Sequence, residues 1–289
     1  MEKVNIVVCL HQFHNDNYVR AFAAMYASIR THTSTFLSLY IIHDETVSTK
    51  NLELLSGYVG NRDLITFIDV NNYPDIANIS KECDYGKFSP AIIWRIYLTE
   101  LCPVDKVILL DADLIFLCDI ETIWNKNIDK FSISASLRRK PWSDEYHRLI
   151  ETPLKKYFRI GVALMNLNSM RNNLNFIENR EFFLRNKLPE INKITSLPEQ
   201  SLFNYFFHDM NKPLDINLVG AMFNNTNSKI ILERLKEMKE MRNIIIDVKG
   251  WQNNSPLAYY YWSYLMMTPW NKEAYEWLYN GISRAKKIK

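Results

Sequence analysis

The first part of the chain alternates short apolar runs with segments whose apolar residues recur at helical spacing. Apolar runs at 4–10, 37–43 and 64–70 predict buried strands, and the spacing at 18–30 and 49–59 predicts helices between them. Strands that alternate with helices form parallel sheets with right-handed crossover connections. We therefore expect an α/β fold in which helices flank a Rossmann-like, mostly parallel central sheet.

The later part of the chain follows this pattern less regularly. Residues 71–88 are expected to be irregular, and the polar stretch 138–156 is expected to form a loop or short helices. The remaining pattern predicts strands at 107–110, 131–137, 157–166 and 243–248, and helices at 90–101, 174–187, 199–208 and 230–241. The helix at 199–208 follows Pro198, a residue typical of helix starts.

Two aspartates, Asp111 and Asp113, directly follow the apolar run 107–110. Ligands bind at the carboxyl ends of strands in open α/β sheets, which is where this run would place both side chains. Burying two carboxylates without a counter-ion is costly, and a divalent cation held by oxygens is a common remedy. Such a cation would bridge to a diphosphate. The alternative is that both aspartates cap a helix or lie in a solvated turn.

The amino-acid composition limits the classes of protein to which this chain can belong. The 289 residues, 47% of them hydrophobic, are enough for one large domain or two small ones, and a net charge of +3 gives no reason to expect nucleic acid as a partner. The four cysteines show no CxxC spacing, which favours buried thiols over disulfides or zinc. Glycine is scarce and no Gly-rich phosphate loop occurs, so a metal is the expected phosphate clamp.

The C-terminal part of the chain is aromatic and basic. This composition fits an interfacial helix on anionic lipid, or else a helix pair whose aromatic residues pack on the body. Without a linker or repeats, we expect a domain at 1–255 and a C-terminal helical segment at 256–289 that faces a membrane or partner. No signal peptide or long apolar span is evident, so we expect a cytoplasmic protein, with peripheral contact at the inner face of the membrane as the alternative.

Five short motifs occur in an order that resembles the retaining glycosyltransferases of family 8, which include bacterial lipopolysaccharide galactosyl- and glucosyltransferases and glycogenin. The resemblance runs from about residue 4 to 270. It implies a GT-A fold, a nucleotide-sugar donor that is usually UDP-linked, and Mn²⁺ or Mg²⁺. The motifs are Arg95-Ile-Tyr97, Leu109-Leu-Asp-Ala-Asp113, Gly161-Val-Ala-Leu-Met-Asn-Leu167, Glu199-Gln-Ser-Leu-Phe-Asn204 and Asp247-Val-Lys-Gly250.

The resemblance implies a metal site at the aspartate pair. Asp111 and Asp113 would be ligands, and the metal would neutralise the departing diphosphate. The family's third ligand is a histidine, and Asp247 stands at that position; a carboxylate still suits a hard cation. The Lys-Pro-Trp that normally grips the diphosphate is absent, and we assign its charge to Lys249, close to Gly250.

The resemblance also assigns the donor pocket. The loop after the first strand, which includes His11, Asn17 and Tyr18, would hold the uracil and ribose, and Ala112 would line the same pocket. Arg95 would face the donor's sugar or phosphate; its alternative is a salt bridge on a helix surface.

The catalytic side chains implied by the resemblance are Gln200, on the reacting face of the anomeric carbon, and Glu199 beside it. The alternative is an ordinary helix N-terminus, where the helix dipole favours Glu. Most members have Asp-Gln here, and many have Asn-Ala-Gly where this chain has Arg159-Ile160-Gly161. Arg159 therefore places bulk and charge near the donor sugar, while a glycine inside a strand often permits close approach of a ligand or backbone.

Three functions from different classes follow. The first is a metal-dependent, retaining hexosyltransferase that extends a lipid-linked, protein-linked or oligosaccharide acceptor. The second is a degenerate GT-A protein that binds a nucleotide sugar, or a partner glycosyltransferase, without efficient turnover. The third is a phosphatase-like hydrolase with Asp111 as nucleophile and Asp113 as acid/base, which is disfavoured because that motif normally follows the first strand of its domain. We expect the first.

Overall fold

The computed structural model describes residues 3–12, 17–86, 88–138, 142–219, 236–238, 240–248 and 258–286. A seven-stranded sheet and a three-stranded sheet lie within these residues. The strands are β1 (Val4–Leu10), β2 (Leu37–His43), β3 (Leu64–Asp69), β4 (Lys106–Leu110), β5 (Leu114–Phe116), β6 (Ile133–Leu137), β7 (Phe158–Asn166), β8 (Asn211–Pro213), β9 (Asn217–Val219) and β10 (Ile244–Asp247).

The large sheet has the order β3-β2-β1-β4-β7-β6-β8. The first four of these strands are parallel, and so are β6 and β8, whereas β7 runs antiparallel to both β4 and β6. The predicted mostly parallel α/β sheet is therefore confirmed. The carboxyl ends of β1 to β4 lie along one edge, and the antiparallel β7 begins at that same edge.

Helices cover both faces of this sheet. Apolar side chains alternate between the two faces along the buried strands: Ile108 and Leu110 of β4 join one core cluster, and Val107 and Leu109 join the other. The helices are α1 (Asn17–His32), α2 (Thr49–Gly60), α3 (Pro74–Glu82), α4 (Ala91–Trp94), α5 (Leu98–Leu101), α6 (Glu121–Trp124), α7 (Asp144–Leu149), α8 (Leu167–Arg171), α9 (Leu174–Phe182), α10 (Leu188–Asn192), α11 (Pro198–Phe207), α12 (Ala258–Leu265) and α13 (Asn271–Lys286).

The element bounds correct the sequence prediction in one place and refine it in two others. The stretch 71–88 was expected to be irregular, which is wrong, because α3 begins there at a proline and buries Ile76 and Ile79. The predicted helix 90–101 contains a 3₁₀ turn at Arg95–Tyr97. The predicted helix 174–187 continues beyond α9 as a π-helical segment. Most of the predicted helix 230–241 lies outside the described residues.

The small sheet joins a late part of the chain to the segment that follows β4. Its strand β10 runs antiparallel to β5 and parallel to β9. Asp247 pairs with Leu114, and the backbone N–H of Val248 donates to the carbonyl of Asp113 at 2.9 Å. The end of β10 therefore lies beside the start of β5, which follows β4 directly in the chain.

The cysteines are free thiols, as predicted. Cys9, Cys83 and Cys102 are buried and Cys118 is half-buried. Burial raises the pKa of Cys9 to about 12 and that of Cys83 to about 11, so both stay protonated at neutral pH.

The C-terminal helices α12 and α13 contribute to the core. Ala258, Tyr261 and Leu265 of α12 are buried in the cluster that includes α1. Between the two helices, the rings of Trp262 and Trp277 stack with their centroids 5.4 Å apart. The aromatic residues thus pack on the body in part, as one of the two sequence alternatives stated. In the described ranges, no helix combines the length and the apolar character needed to cross a membrane.

Candidate active site

The carboxyl ends of β1 and β2 bring His11 and Asp44 together. Nδ1 of His11 lies 2.7 Å from Oδ2 of Asp44, and the imidazole ring meets Trp94 edge to face at 6.1 Å. Burial alone would raise the pKa of Asp44, but hydrogen bonds from His11 and Thr46 outweigh it and lower that pKa. His11 is therefore fixed at the edge where the sequence placed the donor's base.

The first residues of α1 are the next ones that were predicted to bind the nucleoside. Asn17 begins the helix, and Tyr18 follows with 38% of its surface exposed. Ala112, between the two aspartates, is buried. Lys249 and Gly250, which were assigned to the diphosphate, lie outside the described residues.

A buried arginine joins the aspartate pair to the helix that carries the predicted catalytic residues. Nη1 of Arg95 lies 2.6 Å from Oδ1 of Asp111 and 3.6 Å from Oε1 of Glu199. Arg95 is only 8% exposed, so it forms a buried ion pair rather than a salt bridge on a helix surface. The Asp111 side chain in this ion pair is 24% exposed. Asp113 is half-buried in the turn between β4 and β5, so the turn that the alternative expected is present at this residue.

The charges of these three groups depend on one another. Burial alone would lower the pKa of Arg95, but Asp111 and Glu199 outweigh it and raise that pKa. The pKa of Glu199 is raised, chiefly by burial and further by Asp111, although Arg95 opposes the shift. Arg95 is thus the cation that permits two carboxylates to lie close together in a buried place.

Helix α11 holds Gln200 in a defined position. Its Asn204 exchanges two hydrogen bonds with β7: the side-chain amide donates to the carbonyl of Phe158 and accepts from its N–H, both at 2.9 Å. Nε2 of Gln200 donates to the hydroxyl of Tyr157 at 2.5 Å. That hydroxyl lies 3.0 Å from the hydroxyl of Tyr146. The first turn of α11 is therefore fixed by side chains from two other elements.

These supporting residues escaped the sequence analysis. Tyr146 and Tyr157 look like ordinary core aromatics, and their hydroxyl contacts depend on the tertiary fold. Asn204 did carry a signal, because the sequence sets this amide among the apolar residues Leu202, Phe203 and Phe207, and the structure buries it fully. A buried amide of this kind needs partners, and here it has them.

Gly161 is the point of closest approach between β7 and Asp111. The backbone N–H of Asp111 donates to the carbonyl of Gly161 at 2.8 Å. A Cβ at residue 161 would clash with the Asp111 carboxylate, lying 3.2 Å from its Cγ and closer still to one oxygen. The close approach predicted for this glycine is thus made by the chain's own carboxylate.

Gly161→Ala should therefore displace Asp111 and destabilise the protein by about 1–3 kcal/mol, the usual cost of overpacking. Gly57→Ala is the matched control, because it lies in α2 with open space around its Cα and should be neutral or slightly stabilising. Thermal unfolding of both variants measures the difference. Equal melting temperatures for Gly161→Ala and the parent would contradict this account of the contact.

Asp113 and Asp247 come to the same place through the small sheet, whose pairing sets β10 beside β5. Their oxygens are hard ligands of the kind that Mg²⁺ and Mn²⁺ prefer. Across the part of the chain that is described, however, no three His, Cys, Asp or Glu side chains form a group that could hold a metal.

The sequence profile of glycosyl transferase family 8 matches residues 9–246, which is most of the chain. This chain belongs to glycosyl transferase family 8. The enzyme class predicted from the motifs, a glycosyltransferase, is thereby confirmed at the level of the family, and the match favours a transferase over the phosphatase-like alternative.

The family 8 domain is also similar to individual proteins. It is 28% identical over 135 residues to "Probable galacturonosyltransferase-like 4" of Arabidopsis thaliana; that segment is 42% of this chain and 38% of the relative. The chain thus spans well under half of this relative's length.

Solved structures share the fold of the family 8 domain. The galactosyltransferase LgtC, solved with donor and acceptor sugar analogues, superposes with a TM-score of 0.70 at 18% identity, over 92% of this chain and 96% of LgtC. The bifunctional glycosyltransferase WbbM gives a TM-score of 0.69 at 18% identity, over 95% of this chain and 51% of WbbM. The predicted GT-A fold is confirmed by these similarities.

Proposed function

We propose that this chain transfers a hexose, with retention of anomeric configuration and with a divalent metal, from a UDP-linked sugar to a glycan acceptor such as lipopolysaccharide, capsule or a glycoprotein. The observation that carries the proposal is the buried Arg95, which ties Asp111 at the end of β4 to Glu199 beside Gln200. Arg95 would therefore lie between the diphosphate and the sugar of a bound donor. Membership of family 8 supports the reaction class.

The chemistry of three carboxylates suits a hard cation, although in the described structure these side chains do not form a group ready to hold one. Asp113 and Asp247 lie at the ends of paired strands, Asp111 is two residues from Asp113, and all three offer carboxylate oxygens. We assign the metal to these residues. When bound, Mn²⁺ or Mg²⁺ would stabilise the negative charge that develops on the departing UDP.

The remaining roles follow from position. His11, held by Asp44, would contact the nucleoside with Asn17 and Tyr18. Gln200, held by Tyr157, would face the anomeric carbon. In retaining transfer the new bond forms on the face that the leaving group left, so the leaving phosphate itself can take the acceptor's proton. No strong protein base is then required, which is consistent with an amide at residue 200.

The acceptor would approach across residues 138–156 and the C-terminal segment 256–289. Tyr259, Tyr275 and Tyr279 are exposed on α12 and α13, and the sequence ends in a basic stretch. Exposed aromatic residues with basic neighbours favour contact with an anionic membrane surface. We propose such a peripheral contact, from the cytoplasmic side, for a lipid-linked acceptor.

A second candidate function rests on one observation. Because Asp111 is already paired with Arg95, a metal must compete with a buried arginine for this carboxylate. If Arg95 keeps Asp111 from the metal, the protein would bind a nucleotide sugar, or a partner glycosyltransferase, without transferring the sugar. This is the degenerate GT-A alternative.

Donor hydrolysis distinguishes the two candidates. The release of UDP is measured across a panel of nucleotide sugars, with Mn²⁺ or with a chelator, together with calorimetric titration of UDP. Slow, metal-dependent release from one sugar is the expected result. UDP binding without release in the presence of a range of glycan acceptors supports the degenerate protein, and absence of any UDP binding overturns both.

A further inference from the structure

Two arginines outside the Arg95 cluster, Arg138 and Arg159, lie near the start of β7. Arg138 directly follows β6, and its backbone N–H donates to the carbonyl of Tyr157 at 2.9 Å, which places it at the start of β7. Its guanidinium lies over the ring of Trp142, 4.0 Å from the centroid. A guanidinium stacked on an indole has a fixed plane while its N–H groups still point outward.

Arg159 is the second arginine, and it lies in an irregular part of β7. Ala135 pairs with Ala163 and Leu137 pairs with Phe158, so β7 has extra residues between these pairs. Such bulges are frequent next to active sites, where they redirect side chains. Arg159 is half-buried and, within the described ranges, forms neither an ion pair nor a side-chain hydrogen bond.

The pairing of Leu137 with Phe158 brings Arg138 and Arg159 to the same part of the β6–β7 pair. Burial is the larger cause of the lowered pKa of Arg138, and the positive charge of Arg159 lowers it further. Arg159 is a half-buried cation that has no acidic partner among the described residues, and the nearby charge of Arg138 adds to the cost of burying it. An anion bound between the two groups would remove both costs.

The position of Arg159 along β7 points to the sugar rather than to the diphosphate. Tyr157, two residues before it, accepts the hydrogen bond from Gln200. Gly161, two residues after it, touches the carboxylate of Asp111. Arg159 therefore lies between the partner of the predicted catalytic amide and the partner of the predicted metal ligand.

We propose that this site takes a sugar that bears a carboxylate, of the hexuronic acid class, and that Arg159 and Arg138 bind the carboxylate. A carboxylate matches the planar fork of a guanidinium and forms two parallel hydrogen bonds with it. The proposal rests on the proposed function, since it names the substrate class for the same site. The carboxylate belongs either to the transferred sugar or to the acceptor's terminal sugar.

The donor arm of the test compares UDP-glucuronate and UDP-galacturonate with UDP-glucose and UDP-galactose in metal-dependent UDP release. We expect kcat/KM to favour a uronate by about 10- to 100-fold, the effect of charge-assisted hydrogen bonds. Arg159→Gln should reduce this ratio to near one, whereas Arg159→Lys should keep part of it. Arg62→Gln, which removes an exposed arginine between α2 and β3, away from the stretches assigned to donor and acceptor, is the matched control and should retain the full ratio.

The acceptor arm is used if the hydrolysed donor is neutral. Transfer is then measured to oligosaccharides that end in a uronate or in the matching hexose, with the same three variants. The same preference and the same loss in Arg159→Gln would assign the carboxylate to the acceptor. Melting temperatures confirm that each variant is folded.

Two outcomes overturn the inference alone: UDP binds with Mn²⁺ but neither arm shows a preference for a uronate, or the preference persists in Arg159→Gln. A parent protein that does not bind UDP at all overturns the proposed function instead. The titration with UDP, which carries no sugar, therefore separates the two failures.

Discussion

Asp111→Asn should abolish metal-dependent binding of UDP. The change removes one negative charge from the proposed ligand set while it keeps the size of the side chain. Even residues that only orient a metal ligand are worth about 10- to 100-fold in metal affinity, so loss of a ligand should cost at least about 100-fold. Calorimetric titration of UDP in the presence of Mn²⁺ measures the effect, and Asp113→Asn should behave in the same way.

Matched variants make this result specific. Asp129→Asn removes an exposed carboxylate elsewhere on the protein and should leave UDP affinity unchanged. Asp247→Ala should weaken binding less than either asparagine variant, because the pair Asp111 and Asp113 remains. Parental affinity in Asp111→Asn would remove it from the metal site, and parental affinity in Asp247→Ala would do the same for Asp247.

Arg95→Met should cause the largest loss of stability of any single change proposed for this site. It removes the buried cation that Asp111 and Glu199 share, so the repulsion between these two carboxylates is no longer offset by Arg95. Breaking a buried ion pair in this way costs about 3–5 kcal/mol. We expect the melting temperature to fall by roughly 10 °C and donor hydrolysis to be lost.

A second substitution tests the stated cause. In Arg95→Met combined with Glu199→Gln, the charge of one of the two carboxylates is gone, so part of the lost stability should return. Arg185→Met is the control for loss of an arginine–glutamate pair at the surface, where Arg185 meets Glu82 and removal should have little effect. If the double variant is no more stable than Arg95→Met, electrostatic strain between the carboxylates is not the reason for the loss.

Much of the scaffold could be predicted because buried strands in a parallel sheet have a plain sequence pattern. The apolar runs at 4–10 and 37–43 coincide with β1 and β2, and the strand end at Asp111 follows from the same pattern. Helix α3 was missed because its apolar residues Ile76, Ala77 and Ile79 do recur at helical spacing but only over nine residues. Its true origin is Pro74 at the first turn together with packing on a neighbouring core cluster.

The interior of the candidate site was less accessible to sequence reasoning. The motif containing Arg95 marked this residue as important, but its two partners come from positions 111 and 199, and only the fold brings them together. The bulge that contains Arg159 could not be predicted either, because a register shift arises from strand pairing and has no local sequence pattern. The contact between Gln200 and Tyr157 depends on that pairing as well.

The reversed direction of β7 has a consequence for how this protein can diversify. The parallel strands β1, β2 and β4 reach the candidate site with their final residues, whereas β7 reaches it with its first residues, directly after the stretch 138–156. A change of length or composition in that stretch alters the surface offered to an acceptor while β4 and its aspartates stay in place. Under the proposed function, new acceptor preferences would therefore arise at the start of β7 without redesign of the strand ends to which we assign the nucleotide.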